Sequence, residues 1–243
     1  MKKVKITLII SLLLNLVAAF FLISGTGTQG TSPYMPKKKN VFAKKPKSLF
    51  FMGKDLLYDI LPKDSNSIIF LGDSHTEHFA LTELLGDCRL KNRGISGDRL
   101  RGILQRLDPI LETKPRKIFI QAGINDLGMG VSVDTIIAKY THLIDLISEA
   151  TPLTKIYVQS IFPVENKVDK PSTYCNPEVN ESVKEINQFL KSNAEKQGYV
   201  FIDIYNSLVL DKKLNPVYSF DGIHLTAEGY VVWSEILKPY LKE

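Results

Sequence analysis

The chain is short of several residue types, and each shortage removes a class of protein. Two cysteines in 243 residues, Cys88 and Cys175, cannot form a disulfide framework or a cysteine-rich zinc site. There are only four histidines, and no H-E-x-x-H. His75 and His78 stand three apart with Glu77 misplaced, so no metal site is expected. His75 is expected on the rim of a cleft and His78 on a helix surface. G-x-x-x-x-G-K-[ST] is absent, and Gly123, Gly128 and Gly130 are not spaced as G-x-G-x-x-G, so no nucleotide cofactor is expected. Fifteen Gly and twelve Pro are too few for a collagen-like or low-complexity chain.

Acidic residues are missing from one region alone. Residues 1–47 contain nine Lys and no Asp or Glu, whereas the other 196 residues carry 22 basic and 26 acidic side chains. The net charge of +5 therefore belongs to an N-terminal arm. The remainder lacks the basic footprint of a nucleic-acid binder, and no nucleic-acid partner is expected.

Within that arm, Lys2, Lys3 and Lys5 precede an apolar run from Ile6 to Ile23, interrupted only by Thr7, Ser11 and Asn15. As a helix it would span about 27 Å, close to the ~30 Å hydrocarbon core of a bilayer. Signal peptides have shorter apolar cores and a small-residue cleavage site, which is poor near Ser24 to Gly27. Residues 1–23 therefore read as an uncleaved anchor, with a cleaved signal as the alternative. No Cys follows to support a lipoprotein signal. Three Lys before the span favour an inside N-terminus and an exported domain at the cell envelope, although six more follow it. Residues 24–47, rich in Gly, Pro and Lys, read as a basic linker, and 48–243 as the folded domain.

In that domain, helical spacing from Leu49 to Leu61 predicts a short leading helix. Apolar runs at 67–71, 117–121, 155–161 and 199–204 predict buried strands, with 88–92 a weaker fifth that would bury Cys88. Helical patterns lie between them at 76–85, 98–111, 133–149 and 178–197, and a last one covers 226–241. This alternation predicts a parallel sheet covered on both faces. Ligands then bind beyond the carboxyl ends of the strands.

The loops at those ends carry chemistry. Gly72-Asp73-Ser74-His75 places a hydroxyl and a free N–H between strand and helix, which suits a nucleophile and equally an N-cap. Asn92-Arg93-Gly94-Ile95-Ser96-Gly97-Asp98 offers a glycine for close backbone approach, or a plain turn. In Gly123-Ile124-Asn125-Asp126 the Asn amide can donate to an oxyanion or close an Asx-turn. Asp221-Gly222-Ile223-His224 gives a His its orienting carboxylate three residues away. Cys175, in the 162–176 loop, has nothing evident to activate it.

Together these four blocks resemble the SGNH, or GDSL-type, serine hydrolase superfamily, over about residues 65–243. Asn92 to Asp98, and Asp221 to Leu225 with Gly229-Tyr230, are most similar to the branch of platelet-activating-factor acetylhydrolase subunits and carbohydrate acetylesterases. His75 departs from the named motif, which has Leu there. The resemblance implies a three-layer α/β/α sandwich on a five-stranded, flavodoxin-like parallel sheet. It implies Ser74 as nucleophile, His224 as base and then acid, and Asp221 as orienting carboxylate. The N–H groups of Ser74 and Gly94 and the Asn125 side chain would form the oxyanion hole. Asp73 would be structural, and Asp126 would orient the Asn125 loop. The expected function is a metal-independent esterase for small acyl esters, such as acetyl groups on carbohydrate. An O-acyltransferase with the same triad, a lysophospholipase or thioesterase, and a non-catalytic surface-binding module are the alternatives.

Overall fold

The computed structural model describes residues 49–165, 174 and 177–242. The expected anchor and linker, residues 1–47, and Cys175 lie outside the described residues. The described residues belong to one unit, Lys45–Glu243.

That unit opens with α1 (Leu49–Ile60) and then alternates strands and helices. The strands are β1 (Ile68–Gly72), β2 (Leu90–Gly94), β3 (Lys117–Gln121), β4 (Lys155–Gln159) and β5 (Val200–Ile202). After β1 come two short helices, α2 (Ser74–Glu77) and α3 (Leu81–Leu85), where the periodicity predicts one. After β2 come α4 (Leu100–Gln105) and α5 (Asp108–Leu111), again in place of one. The chain continues through α6 (Ile124–Gly128), α7 (Val133–Ala150), α8 (Pro177–Asn193), α9 (Tyr205–Leu208) and α10 (Ala227–Lys242). A small hairpin, β6 (Val209–Leu210) with β7 (Lys213–Leu214), precedes the last helix and is not predicted by the apolar pattern.

All five main strands are parallel, in the order β2-β1-β3-β4-β5. This is the flavodoxin-like order, with its reversal between β1 and β3. Successive strand residues point to opposite faces, and both faces are covered. Ile69, Leu71, Ile118, Ile120 and Val158 meet α4, α7 and α8 on one side. Ile68, Phe70, Phe119 and Tyr157 meet Trp233 and the rest of α10 on the other. On that second face Phe70, Phe119 and Tyr157 stack across three strands, with ring centroids 4.6 and 4.4 Å apart. The expected three-layer sandwich is therefore present.

Two packing details differ from expectation. Cys88 is exposed rather than buried, because β2 starts two residues later, at Leu90. Lys117 lies in a buried strand, 1% exposed, and its Nζ donates to the Tyr240 carbonyl at 2.6 Å, near the end of α10. There the cation meets the negative end of the helix dipole.

Candidate active site

Strand register brings three of the four chemical loops together. Gly72, at the end of β1, pairs with Gly94 of β2 on one side and Gln121 of β3 on the other. Ser74, Gly94 and Asn125 therefore all emerge at one edge of the sheet, around the strand-order reversal. The turn before α10 brings the fourth loop, Asp221 to His224, to the same place.

Ser74 is the first residue of α2 and 6% exposed. Its Oγ lies 3.0 Å from His224 Nε2, and His224 Nδ1 lies 2.6 Å from Asp221 Oδ2. A carboxylate only accepts, so Nδ1 carries the proton and Nε2 offers its lone pair to the Ser74 hydroxyl. The second Asp221 oxygen accepts the backbone N–H groups of Ile223 at 2.9 Å and His224 at 2.7 Å. Burial pushes this carboxyl up, but the hydrogen bonds from the His224 ring and the two N–H groups outweigh it and hold it below its ordinary range. Asp221 thus stays an anion while it fixes the imidazole.

The expected oxyanion donors are less free. Gly94 N–H donates to Asn92 Oδ1 at 2.9 Å. Asn125 Nδ2 donates to the Asp98 carbonyl at 3.0 Å and lies 3.4 Å from Asp73 Oδ2. Gly94 also has a purely steric duty: an added Cβ would sit 2.2 Å from the backbone N of Glu77. Glycine therefore lets α2 close on β2, whatever else its N–H does.

A buried polar layer supports the site. Asp73 caps α2 by accepting the His75 N–H at 3.1 Å, which fits a structural role. Asp126 accepts from Leu100 N at 2.9 Å and from Lys139 Nζ at 3.1 Å, tying the Asn125 loop to α4 and α7. Sequence reasoning missed Asn92, Asp98 as an ion-pair partner, and Arg106. Arg106 pairs with Asp98 at 2.8 Å, fully buried, and also donates to the Gly72 carbonyl at 3.1 Å. Asn92 Nδ2 donates to the Thr76 carbonyl at 2.6 Å and lies 3.3 Å from those of Glu77 and Phe79, where α2 ends. The one available signal was the Asn92-to-Asp98 block itself, whose polar residues are too many for a simple turn.

His75 is not on the cleft rim. It is 1% exposed, with Nε2 2.8 Å from the Ile223 carbonyl and Nδ1 3.4 Å from Asp73 Oδ1. With Nε2 occupied it does not face outward beside His78, which is exposed as expected. Among the described residues no group of three or more His, Cys, Asp or Glu could hold a metal ion.

Residues 70–232 match the GDSL-like Lipase/Acylhydrolase family. The chain belongs to that family. Among solved structures, this GDSL-family chain is similar to a Streptococcus pneumonia protein provisionally described as a platelet activating factor. The two are 31% identical with a TM-score of 0.70, covering 79% of this chain and 91% of that one. An acetyl-xylooligosaccharide esterase from Geobacillus stearmophilus, 19% identical, shares the fold with a TM-score of 0.58 over 74% of this chain and 95% of that one. Among curated proteins, an N-acylneuraminate cytidylyltransferase from Streptococcus agalactiae serotype V is 28% identical over 166 residues. That match covers 67% of this chain, which spans only 36% of the relative's length.

Proposed function

We propose that the GDSL-family domain is a serine esterase that removes small acyl groups, acetyl foremost, from carbohydrate. The observation that carries this reading is the continuous chain from Ser74 Oγ through His224 to the Asp221 anion, with contacts of 3.0 and 2.6 Å. In the proposed reaction His224 Nε2 takes the Ser74 proton as Oγ attacks the acyl carbonyl. The tetrahedral oxyanion is held by the N–H groups of Ser74 and Gly94 and by Asn125. His224 then returns the proton to the leaving alcohol, leaving an acyl-Ser74 that water hydrolyses by the same steps reversed. Asp221 stabilises the imidazolium formed in each half.

The small-acyl preference rests on loop length. The 162–176 connection is short, and 205–224 is taken up by α9, the β6–β7 hairpin and the Asp221-to-His224 turn, which leaves little chain for a helical lid or a deep acyl tunnel. Two things support a sugar as leaving group. The curated relative is named for an acylated sugar acid. Phe220, 66% exposed, stacks beside the His224 ring at 6.0 Å, where it offers a flat apolar surface to a pyranose. The apolar run 6–23 supports an exported domain, held at the membrane by an uncleaved anchor.

The test is acetate release from O-acetylated sugars, set against p-nitrophenyl esters of increasing chain length. Highest kcat/KM on acetate or propionate, a fall beyond butyrate, acetate release from the sugars and no effect of EDTA are expected. A preference for octanoate or longer, or loss of activity in EDTA, would overturn the reading.

A further inference from the structure

Helix α1 carries an exposed apolar stripe. Two of its polar residues face the protein: Lys54 pairs with Glu77 at 2.9 Å, and Tyr58 donates to the Gly94 carbonyl at 3.0 Å. The Arg93 guanidinium lies 4.8 Å over the Tyr58 ring. Four apolar residues on one face point to solvent. Leu49 is 88% exposed, Leu56 37%, Leu57 44% and Ile60 55%. These positions follow the i, i+7, i+8, i+11 spacing of one helix face. A surface helix of a globular domain normally shows the reverse arrangement, so this stripe has an occupant other than the domain's own core.

We infer that the outer face of α1 lies in the interface of an anionic lipid bilayer. This rests on the reading of residues 6–23 as a membrane anchor. Three observations favour lipid over a second copy of the chain or another protein. The chain enters α1 directly from the Lys-rich linker, which has six Lys between 37 and 47 and no acid. A basic segment beside an apolar helix face is the pattern that binds anionic membrane surfaces. The 24-residue linker ties α1 covalently to the expected anchor, which raises its effective concentration at the bilayer. Finally, a single 12-residue helix offers far less area than a stable dimer interface needs. Since Tyr58 bonds the end of edge strand β2, the bilayer would lie beside that edge of the sheet.

The protein carries its own constant background for the test. Its one tryptophan, Trp233, is fully buried and out of reach of lipid. The full chain with Leu57→Trp is reconstituted in vesicles of phosphatidylglycerol and phosphatidylcholine, with and without bromine near the headgroup. Leu153→Trp, at a site 95% exposed in a turn, is the control. The parent chain's emission is subtracted from both. Flotation first reports whether the chain is held by the vesicles. In the Leu57→Trp chain the added emission should fall at least about twofold on bromination and lie to the blue of the control's. That of the Leu153→Trp chain should stay bright, because an interfacial helix buries its apolar face at headgroup depth. Floating chains quenched no more with Leu57→Trp than with Leu153→Trp would overturn the docking of α1 and leave the anchor intact. Chains that do not float would overturn both.

Discussion

His75 reaches across the molecule to Ile223, placing its Nε2 2.8 Å from the carbonyl one residue before His224. The contact joins the residue after Ser74 to the residue before its partner. It thus ties together the two loops that carry Ser74 and His224. Tyr230 adds a second link, donating to the His75 carbonyl at 3.0 Å. The family motif has Leu at this position, so His75→Leu is the natural probe. Losing one such hydrogen bond, about 1.4 kcal/mol, is worth roughly tenfold in rate. His75→Leu should lower kcat about tenfold with little change in KM. Unchanged kcat in a folded variant would show that the tether does not position His224.

The same ring makes stability depend on pH. Burial alone pushes the His75 pKa down, but the nearby Asp73 carboxylate, the Ile223 carbonyl and the more distant Asp221 outweigh it and raise it above the ordinary value. A raised folded-state pKa stabilises the fold fully below the unfolded value of about 6.5, and this stabilisation is lost as pH rises through the folded value. The Tm difference between wild type and His75→Leu should therefore be largest near about pH 5.5 and shrink in alkali. A difference that stays constant from acid to alkali would count against a charged His75.

Ser74 and Asp221 separate chemistry from architecture. Ser74→Ala should reduce ester turnover by at least about 10⁴-fold with an unchanged circular dichroism spectrum. Asp221→Asn is subtler. Its oxygen can still accept the Ile223 and His224 N–H groups, so the loop should keep its shape. Its amide would present an N–H to His224 Nδ1 and favour the wrong tautomer, at a cost of about 10³–10⁴ in kcat. Turnover retained in either variant would remove that residue from the proposed triad.

What could be read from the sequence follows a physical rule. β3 is legible to the residue because a buried parallel strand is a nearly continuous apolar run. The pairing of Asp221 with His224 is legible because it is local. The break between α2 and α3 is not, since the carbonyls there meet the Asn92 amide from 13 to 16 residues away in sequence. Pro109, in the first turn of α5, does mark the second helix break, and the periodicity of 98–111 conceals it. His75 is misplaced for the same reason as Asn92. A histidine's burial is set by what the rest of the fold brings to it, here Ile223, 148 residues away.

Gly94 tests how much the domain depends on a position without a side chain. In Gly94→Ala the new Cβ meets backbone atoms, the Glu77 nitrogen at 2.2 Å and the Asp73 oxygen at 2.8 Å, which cannot rotate away. Overpacking of this kind costs about 1–3 kcal/mol. Urea unfolding should show that loss as a lower midpoint. An unchanged midpoint would mean that α2 shifts freely against β2, and Ser74 with it.

Asn125 carries the last prediction, because its resting partners conflict with its proposed task. Its amide donates to the Asp98 carbonyl at 3.0 Å, and Gly94 N–H is likewise taken by Asn92 at 2.9 Å. An ester carbonyl in the ground state is a weak acceptor and gains little by displacing these bonds. A tetrahedral oxyanion is a strong one, and charge-assisted bonds are roughly twice as strong as neutral ones. The donors should therefore turn to the substrate only as negative charge develops, which concentrates their effect in the transition state. Asn125→Ala should cut kcat by about 10²–10³ and leave KM nearly unchanged. A rise in KM alone would make Asn125 a substrate-binding group. No kinetic effect would leave its bonds to Asp98 and Asp73 as its contribution, and the oxyanion would rest on backbone N–H groups alone.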